Sequence, residues 1–322
     1  MKSLLLSLCL GGVVSLSSQA KAALSYPTKP IRIVVGFAAG GPGDLFARLI
    51  GQFLNAAWGQ PVVVDLRPGA TGNIGADVVA KSTPDGYTLY LPSFSIAVNP
   101  SLYKNLSYNL ISDFSPVCQF AEAAHVIVLH PNVPAKTLQQ LLQLIRKEPR
   151  GLNFASAGNG TSSHLAGELV NMMAGVKLNH IPYKGMSPAH NDVIGGQVPL
   201  IFDNVSTALG AIKSGRLRAI AVSSAQRQPQ LPEVPTLSES GIPGYEITAW
   251  YGLLAPAQTS ELIVNQLHQQ ISQSLKEPAT RERVNLLGAE VADKNPAAFQ
   301  AHLKSEMTKW GKVVKAAAIK LD

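Results

Sequence analysis

Short strand-like runs and longer amphipathic stretches take turns along almost the whole chain. Ile31 to Val35 reads as a strand, and Phe46, Leu49, Ile50, Phe53 and Ala57 then recur at helical spacing behind an N-cap at Asp44. Gly59 and Pro61 close that helix. Further strands are expected at Val62 to Val64, Tyr87 to Leu91, Val126 to Leu129, Leu152 to Ala155, Leu178 to Pro182, Pro199 to Phe202, Leu217 to Val222 and Glu246 to Leu254. Helices are expected over Ala76 to Ala80, from a Thr137 cap to Lys147, after His164 through Met173, over Thr259 to Lys276 and over Pro296 to Ala318. Such alternation predicts an α/β fold, with parallel sheets covered by helices on both faces.

Two strands run into glycine-rich loops that open helices, one loop at residues 36–44 and the other at 156–164. A third glycine-rich loop, Arg67 to Gly75, follows Val62 to Val64. Ligands of open α/β sheets bind at the carboxyl ends of strands. Two sheets facing each other would put the ligand in the cleft between them. No low-complexity linker separates two halves, so the chain is expected to cross between domains on extended strands, near Glu122 to Val126 and Thr248 to Gly252. The expected division is residues 23–124 plus 251–322 for the first domain and 125–250 for the second.

The beginning of the chain changes the picture. Lys2, an apolar run from Leu4 to Leu16 and the small-residue site Ala20-Lys21-Ala22 form a Sec-type signal peptide over residues 1–22, with export to the periplasm expected. Cleavage after Ala22 removes Cys9 and leaves Cys118 alone, so no intramolecular disulfide is available and Cys118 reads as a buried, inert thiol. Loss of Lys2 and Lys21 lowers the formal charge from +7 to +5. The basic residues are scattered, with no run and no interleaved aromatics, which argues against nucleic acid as a partner.

Catalytic motifs are missing. There is no Walker lysine, the third glycine of a dinucleotide fingerprint is Phe46, no G-x-S-x-G elbow occurs, and no His/Cys cluster has metal-ligand spacing. His164 and Glu168 share a helix face without a nucleophile beside them, and His164 reads as local packing. A non-enzymatic chain without cofactor or metal is expected. What remains is a set of neutral donors at strand ends: Thr71, Asn73, Ser93 and Ser95 on one side, and Ser156, Asn159, Thr161, Ser162 and Ser163 on the other. Helix N-termini with hydroxyls hold a carboxylate without a buried Arg or Lys. Arg67 is either structural or ligand-facing. Asp203 either receives a ligand ammonium or hydroxyl or caps the helix after it.

The ordered stretches IRIVVGFAAGGPGD, RPGATGNIGA, PDGYTLYLPS, SAGNGTSSHLAGE, IPYKGMSPAHNDVIGGQVPLIFDN and AWYGLLAPA resemble the Bug-type (TctC-like) receptors, the solute-binding proteins of tripartite tricarboxylate transporters. The resemblance covers essentially the whole mature chain. It implies a type II-like periplasmic binding protein of two α/β domains that close like a flytrap on a small carboxylate: a dicarboxylate, an aromatic acid or an amino acid. It also implies ligand loops at Gly36 to Asp44, Arg67 to Gly75, Ser93 to Ala97, Ser156 to His164 and Phe202-Asp203, with bridging waters. The ligand-binding residues expected on this basis are Phe37, Ala38, Ala39, Gly40, Gly41, Thr71, Asn73, Ser93, Ser156, Asn159, Thr161, Ser162 and Asp203. The expected partners are the membrane permease subunits of such a transporter. A monomer is expected. The alternatives are a periplasmic receptor signalling to a membrane sensor kinase and, from another class, an exported hydrolase. Asp65-Leu66 before Arg67, Ala38, Ala39 and Pro42 depart from the family pattern, so the solute cannot be borrowed from a relative.

Overall fold

The computed structural model describes residues 26–319, so the expected leader lies outside the described residues. β1 (Ile31–Val35) sits between β2 (Val62–Leu66) and β3 (Thr88–Leu91), parallel to both. Each strand is followed by a helix: α1 (Pro42–Trp58), α2 (Asn73–Ala80) and α3 (Ser95–Leu102). Three successive strand–loop–helix units therefore bring three loops to the carboxyl edge of this sheet.

β4 (Phe114–Leu129) joins this sheet to the next. Its first part runs antiparallel to β9 (Thr248–Pro256), from Phe114 opposite Pro256 to Ala124 opposite Thr248. From His125 onward it pairs instead with β7 (Leu200–Asn204) on one side and β8 (Arg218–Val222) on the other. β5 (Leu152–Ser156) lies parallel between β6 (Leu178–Pro182) and β7. The helices of this half are α4 (Leu138–Lys147), α5 (Ser162–Ala174), α6 (Met186–Ile194) and α7 (Val205–Lys213). The chain ends with α8 (Glu261–Lys276), α9 (Pro278–Leu286), β10 (Glu290–Lys294) and α10 (Pro296–Ala316), which pack back on the first half. The result is two lobes, each with a parallel core, on one curled mixed sheet whose antiparallel strands β4 and β9 pass between them.

Ser223 ties the two passing strands together. Its hydroxyl accepts from the His125 N–H at 2.8 Å and donates to the Ile247 carbonyl at 2.6 Å. Its own N–H donates to the His125 carbonyl, and its carbonyl accepts from the Ile247 N–H. One buried residue thus closes hydrogen bonds to both connections.

His125 is fully buried at this junction, and burial holds its imidazole down to about 4. The unfolded chain titrates this group near pH 6.5. Below that pH the unfolded state takes up a proton that the fold refuses, so stability falls as pH drops from about 6.5 towards 4. His302 behaves alike, also held near 4 by burial. His125 alone is expected to remove about 3 kcal/mol over that descent. Urea denaturation between pH 7 and pH 4.5 should show the loss, and His125→Leu should make it shallower by the His125 share, leaving that of His302. An unchanged slope in that variant would mean that the ring already titrates freely in the native state.

Candidate functional site

The first loop is built on close backbone approach. A Cβ on Gly36 would lie 2.5 Å from the Gly72 Cα and 2.9 Å from the Tyr90 hydroxyl. Only glycine at this point lets the loop after β1 lie against the loop after β2. The Tyr90 hydroxyl donates to the Gly72 carbonyl at 3.0 Å and fixes that contact. Phe37, half-buried, lays its ring edge near Gly72, while Ala38, Ala39 and Gly40 are exposed.

The helix after this loop starts earlier than the spacing suggests. Gly41 is the N-cap, Pro42 occupies the first turn, and Asp44 lies inside the helix. The expected cap at Asp44 is therefore wrong. Its carboxylate reaches back to accept from the Gly40 N–H at 2.9 Å and pairs with Arg48, which braces the turn from within. Because Gly41 has no side chain, the first-turn N–H groups of α1 receive no side-chain cap. They stand at the positive end of the helix dipole, which favours an anion.

The second loop is pinned to α3. Thr71, in the left-handed region at φ 54°, meets the Tyr103 hydroxyl at 3.0 Å. The Asn73 side-chain carbonyl accepts from Asn99 Nδ2 at 2.6 Å and from the Tyr108 hydroxyl at 2.5 Å. Asn99 Nδ2 also reaches the Thr71 carbonyl at 3.1 Å. One face of Asn73 is thereby engaged, while its buried Nδ2 has no partner among the described residues. Arg67 pairs with Asp65, which also holds Arg32. Ser93, half-buried, pairs through its backbone with Tyr251.

The loop after β5 uses many of its own hydroxyls. Ser156 Oγ bonds His180 Nε2 at 2.5 Å and accepts from the Gly158 N–H at 3.0 Å. Thr161 caps α5, accepting from the His164 N–H and donating to the Gly158 carbonyl at 2.6 Å. Ser163 accepts from the Ala157 N–H at 3.0 Å. Beneath them His164 and His180 stack with ring centroids 3.7 Å apart. His164 Nδ1 accepts from the Gly160 N–H at 3.1 Å, so its proton sits on Nε2, facing Glu168 at 3.7 Å. Burial, helped by the His164 ring, holds His180 near 3, and its imidazole is neutral at pH 7. Asn159 and Ser162 differ from their neighbours: both are half-buried and make no side-chain hydrogen bond among the described residues.

The loop after β5 approaches the first lobe directly, since a Cβ on Gly160 would come within 2.6 Å of Leu102 Cδ1, at the end of α3. Asp203 lies one step further along the carboxyl edge of β7 and is fully buried. His190 Nδ1 pairs with Asp203 Oδ2, and the N-cap of α7 is Asn204. Of the two roles open to Asp203, capping is therefore excluded. Burial raises its carboxyl above the usual range, and the His190 ring opposes that rise. His180 and His190 carry no local signal in the sequence, because their partners lie 24 and 13 residues away.

A model of the tripartite tricarboxylate transporter family receptor matches residues 46–319. The chain belongs to that family. Among solved family members, the periplasmic binding protein BugD is 37% identical, with a TM-score of 0.80 over 92% of this chain and 99% of its own. Rpa4515 of R. palustris, solved with adipate, is 34% identical, with a TM-score of 0.83 over 92% of this chain and 99% of its own. MatC of Rhodopseudomonas palustris, solved with malate, is 32% identical, with a TM-score of 0.79 over 90% of this chain and 100% of its own. The resemblance to the Bug-type receptors and the two-lobed α/β fold are borne out. The tripartite tricarboxylate receptors are periplasmic binding proteins, not enzymes, and this member is a solute-binding protein of that kind.

Proposed function

We propose that the chain captures a small carboxylate solute between its two lobes and hands it to the membrane subunits of a tripartite tricarboxylate transporter. The observation that carries this reading is the pair of full-length relatives holding adipate and malate. The loops of this chain suit the same chemistry. Ser93 in the first lobe and Asn159 and Ser162 in the second are neutral side chains without side-chain hydrogen bonds among the described residues, and α1 offers an uncapped N-terminus in the first lobe. Such a set binds a carboxylate through hydrogen bonds and dipole, with water filling the remaining positions. The change of β4 pairing between Ala124 and His125 supports a lobe boundary there, with residues 125–250 as the second lobe. Capture requires that the solute bind the closed arrangement better than the open one.

Calorimetry on ligand-free protein against malate, adipate, aromatic acids, amino acids and nicotinate tests the reading. Binding of one of these acids is the expected result, and no heat with any of them would count against a carboxylate solute. The engaged and unengaged side chains should separate in the same assay. Asn159→Ala and Ser162→Ala each remove a hydrogen bond to a charged group and should raise Kd about 10-fold or more with little change in melting temperature. Ser156→Ala should lower the melting temperature, because it strips the partner from His180 and the Gly158 N–H.

A further inference from the structure

A groove of about 590 Å³ lies outside the carboxyl edges of both sheets, between α5 and α10. Leu169, Met172 and Met173 form its apolar wall on α5, at helical spacing. Met172 and Met173, adjacent near the end of α5, are 47% and 37% exposed. Lys304, Lys309 and Lys312 come from one side of α10. Lys309 is anchored, donating to the Glu246 carbonyl at 2.6 Å and lying 4.8 Å from the centre of the Trp310 ring. Lys304 and Lys312 are exposed, and among the described residues none of the three has a carboxylate within 4 Å. Three cations without counter-charges beside a soft apolar wall suit a partner that brings both acidic and apolar groups.

The two walls have different parentage. α5 starts at the solute loop of the second lobe, with Thr161 as its cap. α10 packs on α3 and β4 of the first lobe. A change in the angle between the lobes therefore changes the distance between the methionines and the lysines. We propose that this groove is the surface on which the membrane subunits of the transporter dock. The occupant would be a periplasmic segment of those subunits carrying at least two carboxylates and an apolar side chain seated on Met172 and Met173. Because both lobes build the groove, such a segment distinguishes one lobe arrangement from the other without touching the solute. The inference rests on the transport reading above and names the partner's contact.

The test uses the full-length receptor in a strain lacking its own copy. Lys304→Glu combined with Lys312→Glu should leave the calorimetric Kd for whichever acid of the panel above the wild type binds within twofold of wild type and leave the melting temperature unchanged. Uptake of the same labelled acid should fall at least tenfold. A photoreactive phenylalanine analogue in place of Met173 should cross-link to an acidic periplasmic segment of a polytopic membrane protein, and the double lysine variant should lose that product. Normal uptake by the double variant overturns the groove while leaving the transport reading standing. Cross-links only to a second copy of this chain or to lipid also overturn it. Absence of uptake by the wild type, with or without solute binding, would sink the transport reading and the docking surface together.

Discussion

The Gly41→Glu receptor is expected to fold normally and to bind its carboxylate at least a hundredfold more weakly. Gly41 has φ −77° and ψ 165°, which any residue adopts, and a Cβ there would touch only the Ala38 carbonyl at 3.4 Å. The fold therefore has room for the side chain. The new carboxylate would hang at the N-terminus of α1, where the helix dipole favours an anion. It would do so at an effective concentration in the millimolar range, set by its covalent attachment. A free acid of micromolar affinity then competes against a tethered one and also meets its negative charge. Calorimetry with malate or adipate, alongside thermal melting, reads both halves of the expectation. Unchanged affinity would assign the turn to packing alone and move the solute site elsewhere on the carboxyl edges of the strands.

Much of this architecture was legible because local periodicity and long-range pairing agree. β1, β5, β6 and β8 coincide closely with their expected runs, and the Thr137 cap opens α4 as the spacing requires. β4 was legible only from the expected crossing near Glu122 to its end at Leu129. Pro116, Gln119 and Glu122 interrupt any alternation in its first part, and that part is held by pairing with β9, more than a hundred residues later. α9 and β10 are short and polar, and their positions depend on β4 and α8 rather than on their own sequence. The loop after β5 exposes a different limit. Ser156, Asn159, Thr161, Ser162 and Ser163 look equivalent as letters. The fold engages three of them in its own hydrogen bonds and leaves Asn159 and Ser162 unengaged. That division depends on His180 and on loop backbone groups whose positions no local pattern encodes. Asp203 is the sharpest instance, because Asn204 takes the cap position and one carboxylate oxygen of Asp203 pairs with His190, a partner that no local pattern announces.

Glu306→Ala is expected to lower the stability of the fold by about 3–5 kcal/mol while sparing the affinity of the molecules that remain folded. Glu306 is nearly buried, on the inner face of α10, and one carboxylate oxygen accepts from two indoles. Trp310 Nε1 lies at 2.8 Å and Trp250 Nε1 at 3.1 Å. Both tryptophans are fully buried, one on α10 and one on β9, so this carboxylate ties the last helix to a strand that passes between the lobes. Phe94 meets Trp310 edge-on at 4.9 Å, and Phe299 meets Trp250 at 5.7 Å, leaving neither indole an easy rotation towards water. Alanine at 306 would leave two buried N–H groups unpaired, each costing about 1–3 kcal/mol, and would open a void beside them. Glutamine keeps an acceptor oxygen of the same reach but loses the charge that strengthens both bonds. Glu306→Gln should therefore recover more than half of the loss, which a mere volume effect at this position would not separate from wild type. Urea midpoints for the three proteins give the order, and calorimetry below the transition should return one Kd for all of them. Glu306 itself bonds the two indoles and no residue of the loops at the strand ends, so stability and binding are expected to part company at this residue.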